Sequence, residues 1–192
     1  MAIDQKETII SAAQKRFAQY GYSKVKMEEI AADICISKSA LYYHFTDKDA
    51  IFREVLLLEQ KDFLKRLEHL VTENGSAKEL FRKYFRLRLD LTLRLQNLGM
   101  LDSLKIKEMR PSLRALYHEF YQKERLLIIR MLTNKEFVID RIEEITDLIM
   151  HVINGMHIRR RALEVPIEDF SKEIILLGEV LLNGIICEPG KE

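Results

Sequence analysis

The sequence predicts an all-α protein in which an N-terminal three-helix, helix-turn-helix head (residues 1–48) is joined by a long helix to a C-terminal helical body (residues 49–192), about nine helices in all. Three observations predict it. Apolar and polar residues do not alternate with period two for long. Prolines occur only at 111, 166 and 189, where helices can begin or end. Residues 21–49 hold two short amphipathic segments around a tight turn, the second opening on Ser37 and rich in aromatics.

The first helix begins near Asp4, where Asp4 with Glu7 makes a start like a capping box, buries Ile9, Ala13 and Phe17, and stops at Gly21. The second spans Met27 to Ile34, because Met27, Ile30, Ala31 and Ile34 recur at helical spacing while Glu28, Glu29 and Asp33 face water. Residues 35 and 36 suffice only for a turn. Ser37 then caps a third helix starting at Lys38.

With about 100° per residue and Leu41 and Phe45 fixed inward, the opposite face of that third helix carries Ser39, Tyr43 and, to one side, Ala40. These are the expected contacts to base edges. Tyr42 and His44 flank that face, where they would reach phosphates. The free N–H groups at the helix start, with Ser37 and Lys38, favour a phosphate, and Lys48 at the start of the next helix adds a charge. Lys26 and Met27, opening the second helix, complete the candidate DNA-binding set. Plain solvation is the competing reading for Lys38 and Lys48, and half-buried packing the competing one for Tyr42 to Phe45.

On these residues the chain resembles the tetracycline-repressor (TetR) family of bacterial one-component regulators. Phe17-Ala18-Gln19-Tyr20-Gly21-Tyr22, Ile30-Ala31, Ile36-Ser37-Lys38-Ser39-Ala40-Leu41-Tyr42-Tyr43-His44-Phe45, Lys48 and Ile51-Phe52 stand in the family's order. The resemblance covers the N-terminal quarter; beyond it, helix count and rough lengths match. It implies a homodimer that binds a double-stranded DNA operator. Three departures bear on base preference: Cys35 replaces the family's common turn glycine, Lys26 its Thr or Ser before the second helix, and Ser39-Ala40 its Gly-Thr pair.

Thr46 with Asp49 opens the long fourth helix, whose Phe52, Leu56, Phe63, Leu67 and Leu70 hold one stripe until Asn74-Gly75. Its length lets a push on its far half tilt the reading helix attached at its start. Lys78 to Asn97 follows, with Phe81, Phe85, Leu89 and Leu93 spaced by four. A short helix covers Leu101 to Met109, ended by Pro111, and Ser112 caps the next, which runs to Thr133-Asn134. These pieces enclose the expected ligand compartment, lined by Tyr84, Phe85, Met100, Leu104, Met109, Tyr117, Phe120, Tyr121 and Met131. Flexible thioethers and polar-tipped aromatics suit a small apolar ligand. The same stripe would also serve as ordinary core.

Two helices close the chain, about Asp140 to Leu163 and Glu168 to Ile185. Phe170, Ile174, Leu177, Leu181 and Ile185 make one stripe on the last, widened by Ile175, Val180 and Leu182, so it wants neighbours on two sides. The expected dimer interface is Ile145, Ile149, Val152 and Met156 with Ile174, Leu177, Gly178, Leu181 and Ile185, half of a symmetric four-helix arrangement. Arg159-Arg160-Arg161 reads as solvated charge complementing a helix end rather than as a grip on an anion.

Nothing points to catalysis, a cofactor or a metal. Glu144, Asp147 and His151 share a helix face, yet no second carboxylate-histidine set stands on another helix. No Gly-rich phosphate loop or nucleophile motif occurs. Cys35 and Cys187, the only cysteines, lack zinc spacing, and Cys35 reads as a small, buried, inert thiol rather than a redox sensor.

Hydrophobic residues at 47% and charged ones at 32% mark an ordinary globular chain. The most apolar run, Ile174 to Ile186, is broken by Gly178, Glu179, Asn183 and Gly184, so no membrane span is expected. With no signal peptide in the acidic N-terminus, a cytoplasmic address follows. Residues 1 to 50 carry seven Lys or Arg against seven Asp or Glu, which predicts few charged phosphate contacts and a modest salt dependence. The expected function is a ligand-responsive DNA-binding transcriptional regulator, a repressor released from a pseudo-palindromic operator. The alternative is an all-helical dimeric protein- or ligand-binding module without specific DNA binding.

Overall fold

The structure, a computed structural model, describes residues 4–94, 111–133 and 141–185. Every regular element among them is an α-helix. The chain divides into two compact units, of which the first comprises residues 4–62 of the described chain and the second begins at Phe63.

The first unit holds α1 (Gln5–Tyr20), α2 (Met27–Asp33), α3 (Lys38–His44) and the opening of α4 (Lys48–Thr72). Asp4 starts α1 by accepting from the Lys6 N–H at 3.0 Å. At its other end the Gly21 N–H returns to the Phe17 carbonyl at 2.8 Å, with φ of 81° that only glycine adopts without strain. Ile9, Ala13 and Phe17 are buried, as are Ile30 and Ala31 of α2 and Leu41 of α3. Phe17 meets Phe52 edge-on at 5.1 Å, and Tyr22 lies 4.7 Å from the same ring. The head's core therefore needs the first turns of α4, and the unit extends to Asp62 instead of ending at residue 48. Asp47, not Thr46, caps α4: its Oδ1 accepts from the Ala50 N–H at 2.8 Å, a carboxylate being favoured at a positive helix end.

The α2–α3 turn explains why glycine is usual there. The Ile36 N–H bonds to the Ala31 carbonyl at 3.0 Å and the Cys35 N–H to that of Ala32 at 3.2 Å, the pattern of a Schellman motif with Cys35 at its left-handed position, φ 54°. At the tip of this turn the Cys35 thiol is exposed and not buried as expected. A side chain in that region costs about 1 kcal/mol. Cys35→Gly is expected to raise stability by roughly 0.5–1 kcal/mol in urea unfolding, and Cys35→Ala, which keeps the Cβ, to leave it unchanged.

The second unit holds the remainder of α4, then α5 (Ala77–Arg94), α6 (Pro111–Thr133), α7 (Ile142–Ala162) and α8 (Ile167–Ile185). A capping box sets the start of α5: Glu79 Oε2 accepts from the Ser76 N–H at 2.9 Å, and Ser76 Oγ accepts from the Glu79 N–H at 3.3 Å. Ser112 does not cap α6. The helix already begins at Pro111, whose fixed φ and missing N–H suit a first position. The expected helix over Leu101 to Met109 lies outside the described residues. α5 packs along α8, and α6 along α7. Among the described residues no helix is long and apolar enough to cross a membrane.

Candidate nucleic-acid interface and the buried polar cluster

α3 is built to show one face. Ser37 Oγ accepts from the Ala40 N–H at 3.1 Å, which fixes where the helix begins. Leu41 and Phe45, one turn apart, are buried and pin the helix from beneath. Tyr43 then points away from the core with 86% of its surface exposed, and Tyr42 with 42%. Ser39 is exposed and Ala40 half-buried. His44, also half-buried, places Nε2 3.2 Å from Gln5 Oε1 and stands edge-on to Tyr43, so a neighbouring helix already holds its ring.

The cations are less available than their sequence positions suggest. Lys38 Nζ lies 2.5 Å from Glu28 Oε1 and 5.6 Å from the centre of the Tyr42 ring. The pair depresses the Glu28 carboxyl and raises the Lys38 ammonium, each through the hydrogen bond between them. Lys26 is exposed; its backbone N–H donates to Glu29 Oε2 at 2.8 Å, half of a capping box surviving without a hydroxyl at the cap. Met27 is not available to DNA. It is buried as the first anchor of α2, because its position lies on the stripe with Ile30 and Ala31.

Lys48, expected to add a charge at the phosphates, is engaged within its own chain. Its ammonium donates to the carbonyls of Tyr22 at 2.8 Å and Val25 at 3.0 Å, reaches that of Ser23 at 3.5 Å, and sits over the Tyr22 ring at 4.4 Å. Tyr22 in turn donates its hydroxyl to Asp49. Burial pulls the Lys48 ammonium below the ordinary lysine value. Loop carbonyls that follow α1 have no helical partner, and a flexible cation reaching back from α4 satisfies several at once. Lys48→Met is therefore expected to cost about 1–2 kcal/mol of stability, as hydrogen bonds to a charged group do. The slope of DNA affinity against salt should stay unchanged; a slope reduced by about one per head would return Lys48 to the phosphates.

In the second unit the expected ligand-lining residues divide. Tyr84, Phe85, Phe120 and Met131 are buried, Tyr117 and Tyr121 half-buried, and Met100, Leu104 and Met109 lie outside the described residues. Tyr84 donates its hydroxyl to Glu124 Oε1 at 3.0 Å, Arg88 Nη1 meets Glu124 Oε2 at 3.3 Å, and Arg88 Nη2 donates to Asn154 Oδ1 at 2.8 Å. Arg88 is 4% exposed and Glu124 1%. Burial drives the Glu124 carboxyl up against the opposing pull of Arg88 and Tyr84. Sequence reasoning missed Arg88, Glu124 and Asn154, although a signal existed. Glu124 falls one turn from both Phe120 and Ile128, and Arg88 one turn from Tyr84, so charges of opposite sign sit on two apolar stripes.

The expected dimer residues need re-sorting. Ile149 and Ile174 are buried within one chain, and a Cβ on Gly178 would lie 3.0 Å from the Phe85 ring, so Gly178 admits α5 of the same chain rather than a partner. α8 is apolar on two sides because one of them packs on α5. Ile145, Val152, Met156, Leu177 and Leu181 are half-buried, and the Ile185 side chain lies outside the description. Leu148, Ile175, Leu176 and Val180, which lay outside the expected set, are exposed. The charges singled out by sequence are engaged: Asp147 by Arg125 at 2.6 Å, Glu144 by Arg141, and Arg159 by Glu173 at 2.7 Å, while the Arg160 guanidinium covers the Phe170 ring at 5.6 Å.

Residues 9–55 match the family model described as bacterial regulatory proteins, tetR family. Over 118 residues the chain is 29% identical to the probable acrEF/envCD operon repressor of Escherichia coli K12, a match that covers 62% of this chain and 49% of that protein. The chain spans from about a quarter to half the length of the curated relatives it matches. The fold extends further. A transcriptional regulator from Cytophaga hutchinsonii superposes with a TM-score of 0.76 and 30% identity, over 93% of this chain and 97% of that one. The regulator FadR from Bacillus subtilis, solved in complex with stearoyl-CoA, superposes with a TM-score of 0.72 at 19% identity, over 95% of this chain and 100% of that one. A capped α3 with its aromatic outer face, the matched head and a whole-chain likeness to a solved regulator lead to one assignment: the chain belongs to the tetR family of bacterial regulatory proteins.

Proposed function

We propose that the protein is a ligand-responsive DNA-binding regulator, a homodimeric repressor that leaves a pseudo-palindromic operator when a small molecule binds. The observation that carries this reading is the outward face of α3, where Ser39 and the 86%-exposed Tyr43 stand opposite the buried Leu41 and Phe45. Two such faces enter successive major grooves when their separation matches one helical turn, ~34 Å. An apolar ligand among the aromatic and methionine side chains of the second unit would alter that separation. It can do so only through its difference in affinity for the two forms.

Dimerisation is supported by the exposed apolar face of α7 and α8. Leu176 and Val180, 63% and 61% exposed and one turn apart, lie on α8, with Leu148 on α7 at 56%. Leu176→Glu with Val180→Glu is expected to convert a dimer to a monomer at micromolar concentration in sedimentation; an unchanged dimer would remove this face from the interface.

The pairing of Lys38 with Glu28 and the engagement of Lys48 by loop carbonyls favour a second reading, a dimeric module that binds a ligand or partner protein and no specific DNA. Retention of sheared genomic fragments across a salt titration separates the two. The regulator enriches particular fragments as salt rises, whereas the module enriches none.

A further inference from the structure

Three cations of the first unit are engaged within the chain before any duplex arrives. Arg16 grips Asp33 through two hydrogen bonds, at 2.5 and 2.7 Å, Lys48 is bound to loop carbonyls, and Lys38, the cation that opens the reading helix, is held by Glu28 at 2.5 Å. The α2 N-terminus does not require Glu28, because Glu29 performs the capping there and also approaches Arg16 at 3.5 Å. Glu28 is exposed and reaches across from α2 to α3. Stacking over Tyr42 further restricts where the Lys38 ammonium can go.

We propose that Glu28 is an electrostatic brake on DNA binding: it neutralises Lys38 and sets a carboxylate beside the phosphates that α3 must approach. This inference rests on the DNA-reading function proposed above. An ammonium already paired with a carboxylate brings no net charge to the duplex and releases no counterion, so each head binds with one effective cation fewer. If the pair opens, the freed carboxylate repels the backbone; if it stays closed, Lys38 is lost to phosphate. Either outcome weakens binding uniformly, because phosphate contacts carry no sequence information. The contacts of Ser39 and Tyr43 to bases are left untouched. The brake therefore suppresses binding to random DNA and leaves discrimination to the outer face of α3.

The test measures binding of a mixed-sequence 30-base-pair duplex by fluorescence anisotropy across a salt series. Wild type, Glu28→Gln, Lys38→Gln and the double variant are compared, with a thermal melt of each to establish that all four fold. Glu28→Gln is expected to bind roughly 3–10-fold more tightly near 0.1 M salt and to steepen the slope of log affinity against log salt by about one per head. Lys38→Gln, which leaves Glu28 unpaired, should bind more weakly than wild type. The double variant, neutral at both positions, should return to the wild-type slope. Equal affinity and slope for Glu28→Gln and wild type would overturn the brake, as would a double variant that keeps the whole gain. Should neither wild type nor any variant bind the duplex at any salt concentration, the DNA-reading function itself is overturned, a result distinct from an unchanged slope in a protein that binds.

Discussion

Glu124→Ala is expected to lower the free energy of unfolding by about 3–5 kcal/mol, the loss that follows when one partner of a buried ion pair is removed. The carboxylate is 1% exposed and accepts from both Tyr84 and Arg88, so truncation strips a guanidinium of its counter-charge and a phenol of its acceptor together. Burial disfavours the charged carboxylate, and the arrangement holds only because partners from α5 surround it. Arg88→Met with Glu124→Leu should recover part of the loss, since removing both charges avoids the unpaired buried guanidinium, while the Tyr84 hydroxyl still lacks its acceptor. Urea unfolding of the three proteins checks this. A Glu124→Ala variant within about 1 kcal/mol of wild type would mean that the pair contributes little.

Tyr43→Ala is expected to weaken specific DNA binding strongly while leaving the fold intact. A base-edge contact contributes about 1–3 kcal/mol, and a twofold dimer loses it twice, so affinity should fall by about 30-fold or more. With 86% of Tyr43 exposed, its ring buries little besides an edge contact with His44, and stability should move by no more than about 0.5 kcal/mol. A mobility-shift titration beside a thermal melt separates the two effects. A variant that lost stability along with affinity would instead mark Tyr43 as packing.

Local signals in the head were legible because the chemistry that sets them is itself local. Asp4, Gly21 and Ser37 act on backbone groups a few residues away, and the structure places α1 and α3 between the ends they imply. The side of α3 that Tyr43 occupies followed from helical geometry once Leu41 and Phe45 were fixed inward. Side-chain reach was not legible in the same way. A lysine at the start of a helix looks equally suited to a phosphate and to a loop, and only the approach of residues 22–25 shows that Lys48 serves the loop. In the body, periodicity reported which positions are apolar without reporting what covers them. Ile149, Ile174 and Gly178 are covered by their own chain, while Leu176 and Val180, on the same helix as two of them, are bare. The Arg88–Glu124–Asn154 cluster joins three helices through partners 36 and 66 residues apart, beyond any local pattern.

The central claim, that the outer face of α3 reads DNA from two symmetric heads, is tested most directly by selecting bound sequences from one random duplex library with wild type and with Tyr43→Ala in parallel. A two-fold symmetric motif with half-sites about one helical turn apart is predicted for wild type, with preference flattened at the same position of each half-site in the variant. Identical motifs from the two proteins, or no motif from wild type, would contradict it.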